Sequence, residues 1–99
     1  MFFSVIIPTY NRLPILQKCL TALENQSYTS RVTGYEVVLV DDGSTDVTLD
    51  WLAKHQDLFP HVRCFQQDHA GPAAARNLGV QNSIGDTIIF IDSDLVVLS

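Results

Sequence analysis

Two unbroken apolar runs, Val37-Val38-Leu39-Val40 and Ile88-Ile89-Phe90-Ile91, constrain this chain more than any other feature. Short runs of this kind, bounded by turn formers, suit strands covered on both faces, as in a parallel sheet sandwiched by helices. They belong to a wider pattern. Phe3 to Ile7, Tyr35 to Val40, Val62 to Gln66 and Thr87 to Ile91 are all short, rich in Val, Ile and Phe, and flanked by Pro, Gly, Asp or Ser, which predicts four strands. Between them the period changes. Leu16, Cys19, Leu20 and Leu23 recur at i, i+3, i+4, i+7 and predict a helix from Leu13 to Gln26. Asp46 or Thr45 is placed to cap a second helix, with Leu49, Leu52 and Ala53 on one face and an end before Pro60. Pro72 suits the first turn of a third, running to near Gly85. The order βαβαβαβ defines an α/β, Rossmann-like unit with a mostly parallel sheet flanked by helices. In such units the loops that follow the strands gather at one edge, where ligands bind.

The chain has 99 residues, 46% of them hydrophobic, with no low-complexity run, so a single globular domain is expected. Its net charge of −5 argues against nucleic acid as a partner, because that binding is driven by cationic side chains. Acidic proteins still bind phosphorylated ligands where a metal ion supplies the positive charge. Cys19 and Cys64 lack the spacing of a zinc site or a disulfide framework and read as buried free thiols. The N-terminal apolar run is too short to span a bilayer and lacks a basic region and a cleavage site, so a cytoplasmic location is expected. Asn25-Gln26-Ser27 fits a glycosylation pattern by chance on that reading.

The segments after the four strands carry the chemistry: Pro8-Thr9-Tyr10-Asn11-Arg12, Asp41-Asp42-Gly43-Ser44-Thr45-Asp46, Asp68-His69-Ala70-Gly71 and Asp92-Ser93-Asp94. Singly, each is ordinary turn and capping chemistry. Together they bring carboxylates to one edge of a buried sheet, where desolvation and mutual repulsion oppose ionisation unless something compensates. Two carboxylates about 4 Å apart repel by roughly 1 kcal/mol in water and more at lower dielectric. A divalent cation reverses that sign, and Mg²⁺ or Mn²⁺ completes its shell with water and phosphate oxygens. The pair Asp92 and Asp94 therefore suits a diphosphate ligand. His55 and His61 flank the end of the second helix, where a solvated role near the helix dipole is expected. Trp51 and Tyr35 fit packing roles. His69 lies in a ligand-edge loop.

Taken in order and spacing, Phe3 to Arg12, Glu36 to Asp46, Gly71 to Gly79 and Gly85 to Asp94 closely resemble the start of family 2 glycosyltransferases with the GT-A fold. The resemblance covers nearly the whole chain. It implies that Pro8, Thr9 and Tyr10 wall the nucleotide site, that Asp41 hydrogen-bonds the base, and that Asp42 supports the loop. It further implies that Arg76 lies near the nucleotide, that Asp92 sits by the ribose and the metal shell, and that Asp94 is the principal ligand of Mg²⁺ or Mn²⁺. The implied donor is a nucleotide-diphospho-sugar, UDP-linked first, and the acceptor a glycan, lipid or protein hydroxyl, glycosylated with inversion. Residues 1–99 would then be the N-terminal donor-binding part, with the catalytic base and acceptor site downstream. They are expected to bind without transferring sugar, to expose an apolar sheet edge to a second copy, and to belong to a protein of the cytoplasm or the inner membrane face. A haloacid-dehalogenase-like phosphatase with Asp92 as nucleophile is the alternative, since Ile88 to Val96 resembles its motif; a non-catalytic nucleotide-binding module is another.

Overall fold

The computed structural model describes residues 2–24 and 34–91. Strand β1 (Phe2–Thr9) is followed by helix α1 (Leu13–Glu24), β2 (Gly34–Asp41), α2 (Thr48–Lys54), a 3₁₀ turn (Gln56–Leu58), β3 (Val62–Gln66), α3 (Pro72–Gln81) and β4 (Thr87–Phe90). The strands form a parallel sheet in the order β3-β2-β1-β4. The strand order reverses direction at β1, and in α/β sheets ligands bind at the carboxyl edge beside such a switch point.

Alternation along the strands sorts the core into two layers. Val5, Ile7, Val37 and Leu39 meet Leu16, Cys19, Leu20 and Leu23 of α1 and Leu52 of α2 on one face. Ile6, Val38 and Val40 meet Ala75 of α3 on the other, with Leu78 packed alongside. β2 is thus covered on both faces, as its apolar run requires. β4 is not: Ile88 and Phe90 are exposed, because α3 packs over β1 and β2 instead. Gly79 sets how closely α3 approaches, since a Cβ there would stand 2.5 Å from Ile6 Cγ2.

The sequence expectations hold for element type and order, and depart at several ends. α3 stops at Gln81 rather than near Gly85: Asn82 and Ser83 N–H still close the last turn onto Gly79 and Val80, and the donors beyond them leave the helix. Ile84 N–H donates to Glu36 Oε2 (2.8 Å) and Gly85 N–H to Ser4 Oγ (2.8 Å). α2 begins at Thr48 with Val47, not Asp46 or Thr45, at the N-cap position and no side-chain cap; Asp46 instead sits one residue earlier, its Oδ1 accepting from Thr48 N–H at 3.0 Å. Ala53 is exposed and Leu49 half-buried, so Leu52 and Trp51 make that helix's apolar contact. Residues 25 and 26, expected to end the first helix, lie outside the described residues. Cys19 is buried as expected, but Cys64 is exposed because β3 is the outermost strand.

His55 and His61 are also more engaged than solvated side chains. The His55 ring stacks on Trp51 (centroids 4.6 Å), and His61 stacks on Tyr35 (4.3 Å) while its Nδ1 lies 3.2 Å from Glu24 Oε1.

Candidate nucleotide site at the carboxyl edge of the sheet

Parallel pairing of β1 with β2 runs to their last residues and places Thr9 directly beside Asp41. By alternation both side chains share the α1–α2 face with Ile7 and Leu39. Both are almost fully buried, at 3% and 1% exposure. Asp41 Oδ2 accepts from Ser44 N–H (3.1 Å), whereas Asp41 Oδ1 and Thr9 Oγ1 have no hydrogen-bond partner among the described residues. Buried polar atoms are rarely left so, and an orphaned pair at a ligand edge marks a place for a ligand donor or a water. Asp41 also lines an open cleft of about 410 Å³ with Gly43, Ser44, Leu49, Gln67 and Asp68.

The next residue turns to the opposite side and does different work. Asp42 Oδ1 accepts from Ala70 N–H (2.8 Å) and Gln67 Nε2 (2.7 Å), and its Oδ2 accepts from Gly71 N–H (3.0 Å) and lies 3.0 Å from His69 Nδ1. Burial would raise the Asp42 pKa, but the donors of Ala70, Gln67 and Gly71 and the neighbouring His69 outweigh it and hold the carboxyl below its ordinary range. Asp42 thereby ties the β2 loop to the start of α3. Gly43 lets this loop close: its φ is +81°, and a Cβ would sit 2.9 Å from the His69 backbone nitrogen.

Asn11 joins the remaining loop. With a left-handed φ of 50°, it donates its N–H to Ser44 Oγ (2.9 Å) and accepts at Oδ1 from the N–H groups of Thr45 (2.7 Å) and Asp46 (3.1 Å). The motif contained Asn11, but nothing in its residue type alone marked it as a staple; Asn at a turn is usually local.

The other expected site residues are distributed around this centre. Tyr10 is 38% exposed at the lip, its ring against His69 with centroids 4.2 Å apart. Pro8 is buried in β1 and, by alternation, on the α3 face rather than beside Thr9 and Asp41. Arg76 is half-buried on α3, next to the fully buried Ala75. Asp92 and Asp94 lie outside the described residues. The described chain leads to them, since Ile91 N–H donates to Ile6 O (3.0 Å) and keeps the strand beside β1 up to the preceding residue. Among the described residues, no three His, Cys, Asp or Glu side chains converge as a metal site, and no helix is long and apolar enough to cross a membrane.

A βαβαβαβ sheet with loop-borne carboxylates at its carboxyl edge defines a nucleotide-binding α/β protein of the GT-A type. The sequence profile of glycosyl transferase family 2 matches residues 4–99, and the chain belongs to that family. The structure of Staphylococcus aureus TarS 1-349 in complex with UDP-GlcNAc is similar at TM-score 0.81 and 36% identity, over 95% of this chain and 27% of that one. Mannosyltransferase PcManGT from Pyrobaculum calidifontis, solved with GDP-Man and Mn²⁺, is similar at TM-score 0.81 and 28% identity, over 93% and 27%. Among curated relatives, glycosyltransferase AglE of Haloferax volcanii is 38% identical over 94 residues, 94% of this chain and 30% of that protein. The chain spans 12% to 35% of the length of curated relatives such as this. Family membership sets aside the phosphatase alternative.

Proposed function

We propose that this chain supplies the donor site of an enzyme that transfers a sugar from a nucleotide-diphospho-sugar, UDP-linked first, to an acceptor hydroxyl with inversion. The observation that carries the reading is the bare Asp41 Oδ1, buried beside Thr9 Oγ1 at the wall of the cleft. A fixed carboxylate oxygen in need of a donor suits the ring N–H of uracil, and Ser44 N–H holds its partner oxygen in place. Tyr10 offers an exposed ring for stacking on the base. The UDP-GlcNAc and GDP-Man carried by the two solved relatives support a nucleotide-sugar donor.

Asp94 and Asp92 would hold Mg²⁺ or Mn²⁺, and two carboxylates are the hard oxygen donors such an ion takes. When bound, the ion offsets charge developing on the diphosphate leaving group. The acceptor oxygen forms its bond to the anomeric carbon as the bond to the diphosphate breaks, and the hydroxyl proton passes to a carboxylate base. No described residue is assigned as that base.

Calorimetric titration of UDP, GDP and dTDP, with and without Mn²⁺, tests the reading. Tightest binding of UDP in the presence of Mn²⁺ is expected. Asp94→Ala should remove the metal dependence and Asp41→Ala the discrimination between bases. Absence of binding to all three nucleotides, with or without the ion, would overturn it.

A further inference from the structure

Tyr10 and His69 come from loops that follow different strands, yet their rings meet at 4.2 Å between centroids with planes inclined by 31°. The imidazole is itself anchored. His69 Nδ1 lies 3.0 Å from Asp42 Oδ2 and 3.1 Å from the Asp42 backbone oxygen, and both are acceptors. Nδ1 must therefore carry a proton, which fixes the ring's tautomer and orientation. Asp42 in turn is held by the N–H groups of Ala70 and Gly71 and by Gln67, so the anchor is tied to the backbone at the start of α3. The side chain of His69 is otherwise 59% exposed, too open to be a core residue.

From this chain of contacts we infer that His69 is a positioning residue: braced by Asp42, its imidazole holds the Tyr10 ring in place before a nucleotide arrives. A freely rotating Tyr10 would have to be ordered on binding, and that cost would appear as lost affinity. Only the consequence for affinity rests on the donor-site reading above; the bracing of Tyr10 does not.

The test uses three variants of the chain without ligand and then with UDP and Mn²⁺. His69→Ala removes ring and anchor, His69→Asn keeps a donor toward Asp42 but no ring, and His69→Phe keeps a ring without the anchor. In NMR spectra of the unliganded chain, the Tyr10 ring resonances, assigned with Tyr10→Phe, carry the ring-current shift of the neighbouring imidazole. They should move toward free-tyrosine positions in His69→Ala and His69→Asn and be partly restored in His69→Phe. UDP affinity should fall roughly 3- to 10-fold in the Ala and Asn variants, the size expected for ordering one side chain, with the Phe variant between them and wild type. Because His69 is exposed, melting temperatures should change little. Unmoved Tyr10 resonances in His69→Ala would overturn the bracing, and tighter UDP binding in that variant would show that His69 obstructs the site instead. If the wild-type chain binds no nucleotide, the donor-site reading fails while the resonances still decide the bracing.

Discussion

Thr9 and Asp41 are cross-strand neighbours at the carboxyl ends of β1 and β2, and each buries an oxygen that no described residue satisfies. Such an arrangement costs stability and is kept only where something else uses it. Asp41→Asn preserves volume and turns one carboxylate oxygen into an amide donor. A hydrogen bond to a charged group is worth about 1.5–3 kcal/mol, so UDP affinity should fall by roughly ten-fold or more. The melting temperature should stay level or rise. Unchanged UDP binding, measured calorimetrically, would remove Asp41 from base recognition.

Acid should weaken the fold through two carboxylates. Burial opposes ionisation of Glu36, but hydrogen bonds from Ile84 N–H and Ser4, together with the Arg63 guanidinium, lower its pKa; Asp42 is lowered as described. A lowered folded pKa means that the unfolded chain binds more protons across the window between the two values, so stability rises with pH there. The contribution is complete above the ordinary carboxylate range near ~4 and is lost as pH falls through the folded values. Asp42→Asn and Glu36→Gln should each cost about 2 kcal/mol at neutral pH and flatten the acid limb of a denaturation series. An unaltered limb in both would contradict the assignment.

Gly79 offers a check on packing. Alanine favours a helix interior by about 1 kcal/mol, yet its Cβ would meet Ile6 Cγ2 at 2.5 Å in a fully buried layer. Overpacking costs about 1–3 kcal/mol, so Gly79→Ala should lower the melting temperature despite its helix propensity. A higher melting temperature would mean that α3 shifts outward at little cost.

The outer side of β4 predicts self-association. It has no further strand beside it among the described residues, and Ile88 and Phe90 are exposed. Unpaired edges recruit other chains. Sedimentation from micromolar to millimolar concentration should show a dimer, weakened by Phe90→Glu; a monomer throughout would count against it.

Much of this was legible in the residues because local period and turn chemistry agree with the final packing. Val37 to Val40, a short apolar run between turn formers, is the covered strand it reads as, and the i, i+3, i+4, i+7 stripe of α1 faces the core. What escaped the sequence was long-range. Nothing local says that Ile84 and Gly85 give their N–H groups to Glu36 and Ser4, which is why α3 was expected to run on. The exposure of Ile88 and Phe90 depends on where α3 lands. The bracing of Tyr10 by His69 joins loops 59 residues apart in number and has no signature in either loop alone.

Asn11 is the last case, because it links the β1 loop to the loop that carries Ser44. Asn11→Ala removes the acceptor shared by Thr45 and Asp46 N–H and leaves at the left-handed φ a residue that adopts it less readily than Asn, which together should cost about 1–2 kcal/mol. Asn11→Asp keeps the acceptor and tolerates that φ, so it should retain most of the stability. Asn11→Gly relieves the backbone but not the lost hydrogen bonds and should fall between them. Because Ser44 N–H steadies Asp41, nucleotide affinity should follow the same order. Chemical denaturation and UDP titration of the three variants check both rankings, and equal behaviour of Asp and Ala would show that the staple contributes nothing.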